Sequence, residues 1–147
     1  DYPAACVALG ATIVTNKRKL AADEFFTGLF DTALEDGEII TKVVFPVASR
    51  AAYAKFRNPA SRYALAGVFV AKRGSDIRVA VTGAGESGVF RLPEFEEALK
   101  KRFSPKSIEG LKVSPDGLIG DIHADPAYRA QLVAVMARRA VAKAAAR

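Results

Sequence analysis

Tryptophan is absent from this 147-residue chain, and cysteine, methionine and histidine occur once each. A lone cysteine, Cys6, rules out an internal disulfide framework and agrees with a reducing cytoplasm. It sits in the apolar run Ala4–Leu9 with no base at a recognisable spacing, so it reads as core filler rather than as a nucleophile. His123 has no other ligand-type residues at metal spacing around it, which argues against a metal centre. Long apolar runs are missing as well. A membrane-spanning helix needs about 20 such residues. The best stretch, Ala64–Ala71, is interrupted by Gly67 and stopped by Lys72. The opening Asp1–Ala5 shows no initiator methionine, basic segment or cleavage-site pattern, so the expectation is that something preceded Asp1 in the parent protein.

What is present suits a globular chain. Half of the residues (50%) are hydrophobic, enough to bury a core, and the length allows one domain or a small domain with part of another. The formal charge of +6 raises nucleic-acid binding as an option. The cations are dispersed, however, over Lys17–Lys19, Lys55–Arg62, Lys100–Arg102 and Arg138–Arg147, with acids between several groups and no regular aromatics for base stacking. Solvated faces and a subunit interface account for them better.

The chain reads as a succession of short elements. Tyr2–Leu9 is a helix with Pro3 in its first turn and Gly10 as its stop. Ala11–Thr15 is a strand, Ala22–Phe26 a helical turn, and Glu38–Phe45 a strand closed by Pro46. The loop Val47–Arg50 is the expected domain boundary, dividing the chain into 1–46 and 51–147. Beyond it, Ala52–Phe56, Tyr63–Lys72 and Ile77–Thr82 predict an antiparallel meander of about three strands, its middle member apolar on both faces. Pro93 begins a helix with Phe95 and Leu99 on one face, and the spacing of Glu96 and Lys100 predicts an exposed pair. Asp125-Pro126 starts a final helix that buries Leu132, Val133, Met136 and Ala140. Arg129 falls on that same face, which calls for either an acidic partner or an interface.

Gly83-Ala84-Gly85-Glu86-Ser87-Gly88 spells G-x-G-x-x-G after a strand. A dinucleotide site of that type leads directly into a helix whose N-terminus faces the pyrophosphate. Here the extended stretch Val89–Leu92 follows, and the preceding strand belongs to a meander, so the motif reads as a loop.

Several stretches in order resemble the FAD-binding subunit of molybdenum hydroxylases, the carbon monoxide dehydrogenase medium-chain and xanthine dehydrogenase family. Asp1-Tyr2-Pro3-Ala4 is similar to its D-x-P-A run, and Gly37–Thr41 with Pro46 to its G-E-I-I/L-T…P strand. Tyr53-Ala54-Lys55 and Tyr63-Ala64 resemble its Y-x-K…D-Y/F-A pair, and Val81–Ala84 its V-T-G-A strand end. Asp121–Ala124, Tyr128-Arg129 and Arg138–Ala140 resemble the close of its C-terminal domain.

The resemblance implies an α+β chain. The remainder of a flavin-binding α/β subdomain would be followed by a C-terminal antiparallel sheet packed with helices, like the C-terminal domain of carbon monoxide dehydrogenase flavoproteins. It implies FAD in the intact subunit. Partners would be a large subunit with the molybdenum cofactor and a small subunit with 2Fe-2S clusters, in the cytoplasm. Electrons would pass from the iron–sulfur clusters through FAD to an acceptor. Four positions carry over: Asp1 beside the pyrophosphate loop, Ile40 packed near the flavin, Lys55 near its ring, and Tyr63 controlling access to the ring. Together they would form one slot for a flat tricyclic ring. Each has a plain alternative: helix-start acid for Asp1, strand residue for Ile40, solvated lysine for Lys55, core aromatic for Tyr63. Arg62 stands where the family often has Asp, and Asn58–Ser61 replaces a more basic stretch. The glycine turn that should bind the pyrophosphate would lie before Asp1, so the chain alone is not expected to hold FAD tightly. A rival reading is a docking module without its own cofactor.

Overall fold

The computed structural model describes residues 1–146. Local signals set the first helix, α1 (Tyr2–Leu9). Pro3 sits in its first turn, and left-handed Gly10 (φ 65°) ends it by returning its N–H to the Val7 carbonyl. Ala4, Cys6, Val7 and Ala8 are all buried, so the helix is apolar over most of its circumference and lies inside the molecule. Cys6 is core, as expected, and burial pushes its thiol pKa up.

Next come β1 (Thr12–Thr15), β2 (Lys19–Ala21), the short helix α2 (Ala22–Phe25) and a hairpin of β3 (Phe26–Gly28) and β4 (Asp31–Thr32). β5 (Ile40–Val44) joins β1 to complete an antiparallel sheet in the order β2-β1-β5. This sheet is pinned by Glu38, which is 6% exposed and lies just ahead of β5. Its carboxylate accepts hydrogen bonds from Thr15 Oγ1 at 2.7 Å and the Glu35 N–H at 2.9 Å.

The larger sheet is antiparallel in the order β6-β7-β8-β9: β6 (Arg50–Arg57), β7 (Ala64–Arg73), β8 (Asp76–Thr82) and β9 (Phe90–Arg91). The expected three-strand meander thus gains an edge strand of two residues. β7 is central, in keeping with its apolar character on both faces. Ala66, Val68 and Val70 face α3 (Pro93–Lys101) and α4 (Pro126–Ala145), whereas Phe69 and Ala71 face α1. The α+β class expected from the sequence is the one observed.

Two helices carry further findings. In α3, Phe95 and Leu99 are buried as the spacing predicted, but Glu96 does not pair with Lys100. Glu96 is 4% exposed and turns inward, accepting from the Val79 N–H at 2.9 Å and from Arg91 Nε and Nη2 at 2.8 and 2.7 Å. Because β9 is so short, it leaves an N–H of β8 without a strand partner, and the carboxylate supplies the acceptor. Lys100 pairs with Glu97 instead, at 2.6 Å. α4 begins as its Asp-Pro signal requires, with Asp125 Oδ1 accepting from the Tyr128 N–H at 2.7 Å. No helix among the described residues is long and apolar enough to cross a membrane.

Candidate functional site

Side chains alternate along a strand, so Tyr53 and Lys55 leave β6 on the same face. Both reach the start of α1. The Tyr53 hydroxyl donates to Asp1 Oδ1 and Lys55 Nζ to Asp1 Oδ2, each at 2.6 Å. Burial pushes the Tyr53 pKa up to about 12, so the phenol is neutral and available as a donor. Its ring stacks on Phe69, its direct partner across the ladder, with centroids 6.1 Å apart.

Asp1 borders a cavity of about 670 Å³, within the roughly 300–1,000 Å³ range of small-molecule and cofactor sites. Tyr2 and Pro3 of α1, Leu29 and Phe30 of the β3–β4 hairpin, and Tyr63 give it apolar walls. Tyr63 is 79% exposed rather than part of the core. The loop that presents it is tightly built. Buried Asn58 accepts from the Ala60 and Ser61 N–H groups at 2.9 and 3.1 Å through its side chain, and its own N–H donates to the Tyr63 carbonyl at 2.7 Å. Arg62 takes a left-handed conformation (φ 66°) just before it.

The deep side of the cavity is held by Arg129, only 2% exposed. Its Nη1 donates to the Leu65 and Gly83 carbonyls at 2.7 and 3.1 Å, and its Nη2 to Asp121 Oδ2 at 2.6 Å. Of the two alternatives the sequence left open, an acidic partner or an interface, Arg129 has the acidic partner: Asp121, on the loop before α4, its side chain 36% exposed. The His123 N–H above all, with those of Ala124 and the Arg129 charge, holds the Asp121 carboxyl below its usual range.

The glycine motif is a loop. Gly83 (φ 80°) lies so close to β7 that an added Cβ would overlap the Ala64 carbonyl oxygen. Gly88 (φ 92°) would place a Cβ 2.9 Å from the Gly28 carbonyl oxygen of the hairpin. These glycines serve close backbone approach.

Among the residues singled out from sequence, Asp1, Lys55 and Tyr63 come together: Asp1 and Tyr63 border the cavity, and Lys55 joins through Asp1. Ile40 does not. It lies on the smaller sheet, paired with Thr15 at a register shift and 45% exposed, and is not among the side chains lining the cavity. Tyr53, Asn58 and Arg129 are the members that the sequence did not assign to the site. Only the two-residue spacing of Tyr53 and Lys55 hinted at the first.

Residues 1–48 match the family described as FAD binding domain in molybdopterin dehydrogenase. Over its full length the chain is 32% identical to the nicotine 6-hydroxylase medium subunit of Paenarthrobacter nicotinovorans, covering 56% of that protein. It is 27% identical to the carbon monoxide dehydrogenase medium chain of Hydrogenophaga pseudoflava, with 96% of this chain and 54% of that one aligned. In three dimensions it superposes on a chain of reconstituted CO dehydrogenase from Oligotropha carboxidovorans with a TM-score of 0.80 at 25% identity, covering 100% of this chain and 57% of the other. Quinoline 2-oxidoreductase from Pseudomonas putida shares the fold, with a TM-score of 0.78 at 22% identity, over 99% of this chain and 56% of the other. The chain thus spans a little over half the length of the relatives it matches.

Proposed function

This chain is related along its whole length to the FAD-binding medium subunits of molybdenum hydroxylases, and from that premise we propose that it forms part of an FAD-dependent electron-transfer subunit. In this reading electrons come from the 2Fe-2S clusters of a small subunit, pass through the flavin and leave to an acceptor. A large subunit with the molybdenum cofactor oxidises the substrate. The assembly would work in the cytoplasm, with which the single buried thiol is compatible.

The observation that carries the proposal is the Asp1 carboxylate, gripped by Tyr53 and Lys55 at the border of a cavity that Tyr63 also lines. Apolar walls with a few fixed polar groups are what a flat heteroaromatic ligand requires. Bound there, the flavin would supply the link between two-electron and one-electron chemistry. Asp1 would accept a hydrogen bond from it, Lys55 would favour an anionic reduced ring, and Tyr63 would lie against the ring and govern access. Ile40, outside the cavity lining, would touch only a part of the ligand that extends along the β5 sheet. We place the boundary between a flavin-binding part (1–46) and a C-terminal domain (51–147) in the segment that joins β5 to β6. The end of the family match at residue 48 and the start of β6 at Arg50 support it.

A docking module without a cofactor is the second reading. It is favoured by the exposed apolar row of Ile39, Ile40, Val44, Phe45 and Val47 around edge strand β5. The flavin absorbance of the parent protein, purified together with its natural partners, separates the two. A yellow subunit whose colour is weakened by Lys55→Met supports the flavin reading, and a colourless one overturns it.

A further inference from the structure

Gly67 sits within β7, a ten-residue strand in which the neighbouring residues from Leu65 to Ala71 pack a core on one face or the other. A glycine there weakens the strand and needs a reason. Backbone conformation is not that reason, because Gly67 is not among the residues with positive φ. Space is. A Cβ at Gly67 would overlap the hydroxyl oxygen of Tyr53, and would lie 2.9 Å from its Cζ and 3.1 Å from Thr82 Cγ2. Gly67 is the direct ladder partner of Lys55, two pairs along from Tyr53 and Phe69 and so on the same face of the sheet. The phenol therefore runs diagonally across the strand pair, into the volume that a side chain at 67 would fill, and ends on Asp1 Oδ1.

Stability does not explain this arrangement. The Asp1 and Lys55 side chains are 45% and 19% exposed, and an ion pair with that much water around it contributes little to folding. What the arrangement does provide is direction. A carboxylate held by one donor swings about its Cβ–Cγ bond; held on opposite oxygens by a phenol and an ammonium, it has a single orientation toward the cavity.

We infer that Tyr53 is a positioning residue, seated by Gly67, which together with Lys55 locks the Asp1 carboxylate in the orientation from which it meets the ligand of the adjoining cavity. The inference rests on the flavin reading for the identity of that ligand, but not for the lock itself.

The test uses the parent protein with four variants: Tyr53→Phe, Gly67→Ala, the double substitution, and Phe69→Leu as a packing control. FAD binding and the visible flavin spectrum report on the lock. Tyr53→Phe is expected to weaken FAD roughly tenfold, the loss of one hydrogen bond to a charged acceptor, and to shift the flavin band with little change in melting temperature. Phe69→Leu is expected to lower the melting temperature and leave the band in place. Thermal unfolding of the double-substitution cycle reports on the seat without any ligand. Gly67→Ala should cost clearly more in the unaltered protein than in the Tyr53→Phe background, where no hydroxyl is displaced from Asp1. An additive cycle, or a Tyr53→Phe protein whose FAD affinity and spectrum equal those of the unaltered protein, overturns the inference. Should the unaltered protein take up no FAD, the flavin reading falls, and the cycle alone decides whether the phenol needs the space above Gly67.

Discussion

Arg18 and Glu38 form a two-pronged ion pair, in which guanidinium Nε and Nη2 donate to separate carboxylate oxygens at 2.9 and 3.0 Å. The Glu38 side chain has no exposed surface, whereas Arg18 retains 37%. With Thr15 and the Glu35 N–H also donating, the carboxylate joins the β1–β2 turn to the start of β5. The Arg18 hydrogen bonds above all, then those from Thr15 and Glu35, lower the Glu38 pKa from 4.5 to about 2.

That shift fixes a pH dependence. A folded-state pKa below the unfolded one stabilises the protein above the unfolded value, and the contribution is lost as pH falls through the folded value. Glu38→Gln should therefore melt several degrees below the unaltered protein at neutral pH. The gap should close as pH falls from 4.5 toward 2. Melting curves over that range check it; a gap that stays constant to the lowest pH would count against the ion pair as its source.

Glu96 should show how much of its value lies in a backbone contact. Glu96→Ala removes the acceptor of the Val79 N–H and leaves Arg91 with the longer Asp23 contact at 3.9 Å, a cost on the order of 2–3 kcal/mol. Glu96→Gln keeps an acceptor for the N–H and should lose less than half of that. Lys100→Ala, which the helical spacing alone would rank as the equal of Glu96, should be nearly neutral. Urea midpoints of the three variants test the ranking.

These contacts mark how far the sequence could be read. Helix ends were legible because their causes are local: Pro3 and Gly10 for α1, Asp125 and Pro126 for α4. The strands of the main sheet were legible from their apolar patterns. Glu96 was not, because its partners lie across the sheet and a helical spacing to Lys100 offered a nearer answer. The β3–β4 hairpin was missed since Leu29 and Phe30 at its tip carry none of the usual turn residues. At the site, the Tyr53–Lys55 spacing was visible, but Asp1 stands 52 and 54 residues away, and no local pattern announces such a meeting. Ile40 shows the converse limit: a sequence motif assigned it to the slot, and strand pairing puts it on another sheet.

The glycine loop makes a prediction with a built-in control. Gly83→Ala must place a Cβ against the Ala64 carbonyl in a left-handed conformation, and should cost about 2 kcal/mol or more. Gly110→Ala meets nothing within 4 Å and has no positive φ, so it should be neutral or slightly stabilising. If the motif held a pyrophosphate rather than a tight crossing, Gly83→Ala would abolish ligand binding while sparing the fold. Chemical unfolding of the ligand-free protein distinguishes these outcomes.

Phe30 is fully exposed (100%) and adopts φ 62°, a conformation that costs an L-residue with a bulky side chain roughly 1–2 kcal/mol. Strain of this kind beside a cavity is a signature of function at the expense of stability. Phe30→Asn, which tolerates the left-handed region, should raise stability by about 1 kcal/mol. The same variant should bind FAD less well, since it removes an apolar wall. Melting temperature and FAD titration on one protein sample give both answers; a loss of stability would show that the ring covers something in solution.

Arg129 poses the sharpest question, because its acidic partner and its carbonyl partners make opposite predictions. If the ion pair with Asp121 were the reason for burying a guanidinium, removing either member should cost the same. The geometry argues otherwise. The Asp121 side chain is 36% exposed, so water can replace Arg129 there, whereas the Leu65 carbonyl takes its hydrogen bond from Arg129 in a buried setting. Arg129→Met should therefore cost on the order of 3–5 kcal/mol, as when one partner of a buried set is removed. Asp121→Asn should cost only a small fraction of that, because the pair is open to water on the Asp121 side. Arg129→Lys should recover little, since one ammonium cannot serve two carbonyls and a carboxylate in the directions of a planar fork. Urea midpoints rank the three. Equal losses for Arg129→Met and Asp121→Asn would return the ion pair to first place. The expected order makes Arg129 instead the tie between α4, the start of β7 and the glycine loop, and so the residue that keeps the deep side of the cavity in shape.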